Sequence, residues 1–406
     1  MTQFDRVIWI VLDGVGAGAL PDAQLYGDHG ANTLANLARS YFQKANRPLA
    51  LPNLTRLGLG NITPMDEIPP LVAGKGEGAY GRAMELSRGK DTSSGHWEFA
   101  GLVVSKPFVT YPDGFPMELI NRWIKENDLP GVLGNKAASG TEIIKELGAE
   151  HVASGKPILY TSADSVWQVA AHEESFGLDR LYKICLSARK ICDEIQLGRV
   201  IARPFVGNPP QGVPFKRTYN RKDYALPPFA PTYLDQLTEK NIHVRGIGKI
   251  SNIYAAQGIT SNIDTHGNTD GIREVLAQLG SFEKGLLYCN LIDFDMLFGH
   301  RRDIMGFAAA MEEFDRALPE IKSKMTSRDL LILCSDHGND PTFPGTDHTR
   351  EHSLILAYTP AQTRAAPADL GTRGSFADLG ATAVHALTGV APSDGIGKSF
   401  LPEMGL

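Results

Sequence analysis

Leu330-Leu331-Ile332-Leu333-Cys334-Ser335 is an apolar run that stops at Asp336-His337-Gly338, and a second histidine, His348, follows within one short Gly/Pro-rich loop. Two other apolar runs end in acids: Arg6-Val7-Ile8-Trp9-Ile10-Val11-Leu12 at Asp13, and Leu286-Leu287-Tyr288-Cys289-Asn290-Leu291-Ile292 at Asp293 and Asp295. Short runs rich in Val, Ile and Leu read as buried strands of a parallel sheet, and such sheets bind ligands beyond the carboxyl ends of their strands. The acids then converge although distant in sequence. One aspartate after a buried strand usually just begins a solvated loop. Three of them, with histidines beside them, point to one metal site.

The 406 residues exceed the size at which a single core stops growing, and a 42% hydrophobic content is enough to fill two domains. A formal net charge of -6, with no run of clustered Lys or Arg, argues against a nucleic-acid or anionic-membrane partner. The start of the chain lacks the pattern of a secretory signal, and no apolar stretch is long enough to span a bilayer, so the expected location is the cytoplasm. Cys185, Cys192, Cys289 and Cys334 have no C-x-x-C spacing and suggest neither disulfides nor thiolate metal sites.

The pattern predicts an α/β layered core with a central, mostly parallel sheet, built from residues 1-100 and 222-406. Its elements include a helix over Thr33 to Arg39 capped by Asn32, a strand over His243 to Ile250 and helices over Asp270 to Leu279 and Ile304 to Met325. A strand over Leu354 to Tyr358 and a helix over Phe376 to Leu387 complete it. Between the two parts, residues 101-221 read as an inserted cap domain of shorter helices, Pro116 to Glu126, Thr141 to Leu147 and Arg180 to Leu197. Few strands are expected among them, Ile158 to Thr161 and Val200 to Val206.

Asp and His ligands without thiolate suit Mn²⁺, Mg²⁺ or Zn²⁺ alike. The candidate ligands are Asp13, Asp295, His300, Asp336, His337 and His348, more than one ion usually takes from protein and about right for two. Paired ions clamp the attacking and leaving oxygens of a phosphoryl group. His300 stands five residues after Asp295, in a loop that would fold back over the strand end; His352 rivals His348 but leads directly into the next strand. His29, His151, His172, His243, His266 and His385 read as surface or satisfied core residues.

A second informative stretch is Asp91-Thr92-Ser93-Ser94-Gly95-His96-Trp97-Glu98, hydroxyls ahead of a helix. Asp91, Thr92 or Ser93 could simply cap that helix, or a hydroxyl beside cations could accept a phosphoryl group. That string, with Asp13-Gly14-Val15-Gly16, Asp295-x4-His300, Asp336-His337-Gly338 and Asp347-His348-Thr349-Arg350-Glu351, resembles the phosphopentomutase family of the alkaline phosphatase superfamily. The resemblance spans the chain. Its D-T-x-x-G-H-W-E string is specific, whereas D-H-G alone would indicate only the superfamily.

The resemblance implies an isomerase that interconverts α-D-ribose 1-phosphate and D-ribose 5-phosphate, and the 2-deoxyribose pair, through a phosphothreonine at Thr92 and a 1,5-bisphosphate. It implies two Mn²⁺ per chain, one held by Asp13, Asp336 and His337 beside Thr92, the other by Asp295, His300 and His348. It further implies a bisphosphorylated sugar activator, glucose 1,6-bisphosphate or ribose 1,5-bisphosphate, and substrate contacts from Asp164, Arg199 and Arg203 in the cap. Gly14 occupies a position where the family commonly has serine, which implies the loss of a local side-chain hydrogen bond with Asp13 retained. Three other readings are a phosphate-monoester hydrolase on the same core, a cofactor-independent phosphoglycerate mutase, whose nucleophile string differs, and a non-catalytic sugar-phosphate-binding protein.

Overall fold

The computed structural model describes residues 4–71, 75–162, 165–362, 366–393 and 395–406. The chain forms two compact units, Met1–Pro107 with Pro228–Leu406, and Phe108–Pro227.

The first unit is built on a nine-stranded sheet. Arg6–Leu12 is its central strand, paired in parallel with Gly285–Leu291 on one side and Asp329–Cys334 on the other. All three strands are buried along their whole length, which explains their unbroken apolar sequence. Side chains leave alternate faces of the central strand. Ile8, Ile10 and Leu12 join a cluster with Leu37, Leu287 and Phe307, while Trp9 stacks on Tyr288 with ring centroids 4.7 Å apart. Burying each such side chain stabilises the fold by roughly 1.5–3 kcal/mol. At the opposite end of these strands from Asp13, buried Arg6 forms a fork to Asp329 at 2.9 and 2.7 Å and donates to the carbonyls of Leu279 and Phe282.

Glu351–Tyr358 pairs antiparallel with Asp329–Cys334 and begins three residues earlier than its apolar pattern indicates. Because it runs backward, it enters from the end at which Asp336 stands, and the connection carrying His348 must lie over that end. Ala79–Ala83 and Ala368–Arg373 continue the sheet beyond it. The helix capped by the Asn32 side chain, which accepts from Ala35 N–H at 3.1 Å, extends from Thr33 to Ala45, past the predicted Arg39. The predicted strand over His243 to Ile250 is only Val244–Ile247, followed by a short helix.

The second unit holds a six-stranded sheet where two strands were expected. Val166–His172 is buried at every position and was hidden by its polar residues, which the fold satisfies: Gln168 accepts from Arg203, and His172 Nε2 bonds to Gly207 O. Lys222–Ala225 pairs with Arg199–Asn208, so this unit continues to Pro227, beyond the crossing expected at 221. Helices Gly140–Ser154 and Leu178–Glu194 cover the sheet, each packing against an apolar cluster. No described helix is long and apolar enough to cross a membrane.

Candidate metal centre

Register places the acids. Leu12 pairs with Leu291 and Val11 with Cys334, so Asp13, Asp295 and Asp336 all lie just beyond the ends of adjacent parallel strands. Asp295 and His300 sit in one wide helical turn, Phe294–Gly299, closed by His300 N–H to Asp295 O at 3.0 Å, where a fold-back loop was expected. That turn brings His300 Nε2 to 3.4 Å from Asp295 Oδ2 and 3.2 Å from His348 Nε2. Asp293 does not join them; its carboxylate accepts from Asn268 N–H at the start of a helix.

Two groups of ligand atoms lie close enough to share an ion: Asp13, Asp336 and His337, and Asp295, His337 and His348. His300 flanks the second group. His352 stays outside both, with Nδ1 donating to Gly18 O at 2.9 Å.

The donor chemistry fits divalent cations. Asp13 Oδ1 and Asp336 Oδ2 are buried and, among the described residues, have only imidazole nitrogens nearby: His337 Nε2 stands 3.4 Å from each, and His96 Nδ1 3.2 Å from Asp336 Oδ2. Buried anionic oxygens without donors are costly unless a cation compensates them. Burial, and then the Asp336 charge, push the Asp13 carboxyl up to about 6. Burial lowers the His337 imidazole, but Asp336 and Asp13 outweigh it and hold it well above its ordinary value. An anionic cluster of this kind draws in positive charge.

Helix Thr92–Phe99 settles which residue caps it. Asp91 accepts from the N–H groups of Ser93 and Ser94 at 3.0 and 3.2 Å, which leaves the Thr92 hydroxyl free of that role. Thr92 Oγ1 lies 3.2 Å from His337 Nε2, at the first ligand group. The arrangement can present a hydroxyl to a phosphorus atom beside cations, the geometry that group transfer needs.

Several supporting residues escaped the sequence reading. His96 is fully buried, its Nδ1 2.9 Å from Thr92 O and 3.2 Å from Asp336 Oδ2. Asn290 donates to Asp13 Oδ2 at 2.8 Å, and Asn339 to Asp295 Oδ1 at 2.7 Å. A polar Asn290 inside an otherwise apolar strand was the available signal. Gly14 adopts φ +74°, and its N–H donates to Asp336 Oδ1 at 3.1 Å, so the backbone supplies a hydrogen bond at the position without a serine.

In the second unit, Arg203 lines a cavity of about 490 Å³ together with Lys216, Arg217 and Arg221. Burial lowers the Arg203 guanidinium, and Arg221 and Arg217 add to this against the opposing effect of Tyr160. Arg199 begins the same strand but is not among the lining residues. Asp164 lies outside the described residues.

Comparison with known proteins supports divalent metal binding. The model of the metalloenzyme superfamily matches residues 5–389. The phosphopentomutase of Symbiobacterium thermophilum is 52% identical over 405 residues, covering 100% of both chains. That of Caldanaerobacter subterraneus subsp. tengcongensis is 49% identical over 100% of this chain and 99% of its own. Among solved structures, the PH0037 protein from Pyrococcus horikoshii superposes at a TM-score of 0.50 with 12% identity, covering 97% of this chain and 99% of that one, a likeness of fold alone. With full-length identity near one half and the superfamily model spanning nearly all of it, the chain belongs to the phosphopentomutase family of the metalloenzyme superfamily.

Proposed function

We propose that this enzyme interconverts α-D-ribose 1-phosphate and D-ribose 5-phosphate, and the 2-deoxyribose pair, in the cytoplasm through a phosphothreonine at Thr92. The observation that carries the reading is the Thr92 hydroxyl, relieved of capping by Asp91 and held 3.2 Å from His337 at a cluster of buried ligands. Two Mn²⁺ ions fit the six ligands, Asp13, Asp336 and His337 for one and Asp295, His300 and His348 for the other. When bound, they neutralise phosphoryl charge and lower the pKa of the reacting hydroxyls.

The residues of the chain do the rest. Phospho-Thr92 donates its phosphoryl group to the C5 hydroxyl of ribose 1-phosphate, giving ribose 1,5-bisphosphate. The freed Thr92 oxygen then takes the C1 phosphoryl group, and ribose 5-phosphate leaves. His96 and Asp91 orient the nucleophile helix from its carbonyl and amide sides during both transfers. Arg203, with Lys216, Arg217 and Arg221, offers the charge that would hold a sugar phosphate, and Asp164 and Arg199 are further candidates for substrate contact. A bisphosphorylated sugar, glucose 1,6-bisphosphate or ribose 1,5-bisphosphate, primes Thr92.

Incubation with glucose 1,6-bisphosphate and Mn²⁺, followed by peptide mass spectrometry, tests the reading. Phosphate on the Thr92 peptide is expected; phosphate confined to another residue overturns the assignment.

A further inference from the structure

One guanidinium ties together the segments that carry the ligands. Arg302 Nε donates to Gly345 O at 2.6 Å and Nη2 to Asp347 O at 3.1 Å, on the approach to His348. The two N–H groups of its Nη1 are shared among three acceptors, Gly299 O at 3.1 Å, next to His300, and Asn339 Oδ1 and Asp340 O at 2.7 and 2.9 Å, just past His337. Asn339 passes the constraint on, since its amide donates to Asp295 Oδ1 at 2.7 Å.

Two features mark this clamp as built. Arg302 holds φ +54°, the left-handed region that non-glycine residues occupy only where surroundings enforce it. Gly299 leaves room for the amide, because a Cβ there would stand 2.6 Å from Asn339 Cγ. The first ligand group needs less help: Asp13, Asp336 and His337 stand directly on the ends of paired strands. His348 instead stands on the connection that leads into the antiparallel strand Glu351–Tyr358. Between Asp336 and Glu351 the backbone forms one isolated bridge, Gly338 with Thr349, and otherwise meets the strand-end segments through Asn339 N–H to Gly14 O at 2.8 Å and Leu20 N–H to Arg350 O at 3.0 Å.

We infer that Arg302, acting through Asn339, is the positioning residue of the second cation pocket, Asp295, His300 and His348, and sets its affinity while leaving the first pocket nearly unchanged. The inference rests on the two-cation reading above. The fork geometry matters because five acceptors in fixed directions suit a planar guanidinium and not an ammonium.

The test titrates Mn²⁺ into metal-free parent, Arg302→Met, Arg302→Lys and Asn339→Ala, counting free Mn²⁺ by electron paramagnetic resonance and recording the metal-free Tm of each. The parent binds two ions. Arg302→Met and Asn339→Ala keep one ion at parental affinity and weaken the other by about tenfold or more, with Arg302→Lys between them. The metal-free Tm of each variant separates loss of the ion site from a general folding defect, and Asn339→Ala does so with the guanidinium left in place. Two ions bound at parental affinity in Asn339→Ala and Arg302→Met overturn the inference alone, as does equal weakening of both ions. A parent that binds fewer than two overturns the two-cation reading and the inference with it.

Discussion

Thr92 Oγ1 lies 3.2 Å from His337 Nε2, although the two residues are far apart in sequence. The contact exists because the helix begins at Thr92 and the Asp329 strand ends at Cys334, so the start of one element and the end of the other meet. Replacing Thr92 with alanine should lower mutase kcat by about 10³-fold or more while Tm and Mn²⁺ binding stay near parental values. Thr92→Ser, which keeps an oxygen there, should retain measurable turnover. Steady-state kinetics beside a melting curve checks both, and full activity in Thr92→Ala would sink the nucleophile assignment.

Asp91 holds the Thr92 helix start through two N–H groups and the Ser94 hydroxyl. Asp91→Ala should cost about 1 kcal/mol of stability and, by letting the nucleophile drift, about tenfold in kcat. Asp91→Asn, with one acceptor oxygen left, should lose less of each. Denaturant unfolding and kinetics on the same preparations decide it.

Burial first, and then repulsion from Asp336, raise the Asp13 carboxyl when no cation separates the two. Adding Mn²⁺ to metal-free protein should therefore raise Tm by mass action. Asp13→Asn should lose most of that rise yet melt no lower than the parent in EDTA, because it removes a like charge. A marked drop in EDTA would show instead that Asp13 is a structural acceptor.

Glu351 gives a pH signature away from the ligands. Burial, and then the Asp340 charge, push its carboxyl up to about 7, against the hydrogen bonds it accepts from Thr349 and Thr33. A carboxyl raised on folding contributes stability that is present below its unfolded value of about 4.5 and lost as pH rises through about 7. In metal-free protein, the advantage of Glu351→Gln over the parent should grow between about pH 5 and about pH 8, on the order of 3 kcal/mol. Urea unfolding at the two pH values measures it; a constant difference contradicts the buried, protonating Glu351.

Arg203 shares its cavity with Lys216, Arg217 and Arg221, the last paired with Asp223 at 2.6 Å, and the remaining positive charge suits an anion. Arg203→Met should raise KM for ribose 1-phosphate by about tenfold or more with Mn²⁺ stoichiometry unchanged. An unaltered KM would remove Arg203 from the substrate contacts.

Much of the core was legible because buried parallel strands write continuous apolar runs, and the acids that matter directly follow them. Strand direction left no such mark: nothing in Leu354 to Tyr358 told that it runs antiparallel and so carries His348 back over Asp336. Val166–His172 was missed because Gln168 and His172 look wrong for a buried strand until their partners in distant elements are known. The string at Asp91 left cap and nucleophile unresolved, since choosing between them depends on which side chain reaches the Ser93 and Ser94 amides. His96, Asn339 and Arg302 support the centre through contacts with segments remote in sequence, and composition cannot announce these.

The central claim is phosphoryl transfer between two positions of one sugar. Purified protein with Mn²⁺, α-D-ribose 1-phosphate and a trace of glucose 1,6-bisphosphate, followed for ribose 5-phosphate and free phosphate together, tests it most directly. Ribose 5-phosphate should accumulate with little free phosphate; predominant release of free phosphate would contradict transfer between two positions of one sugar.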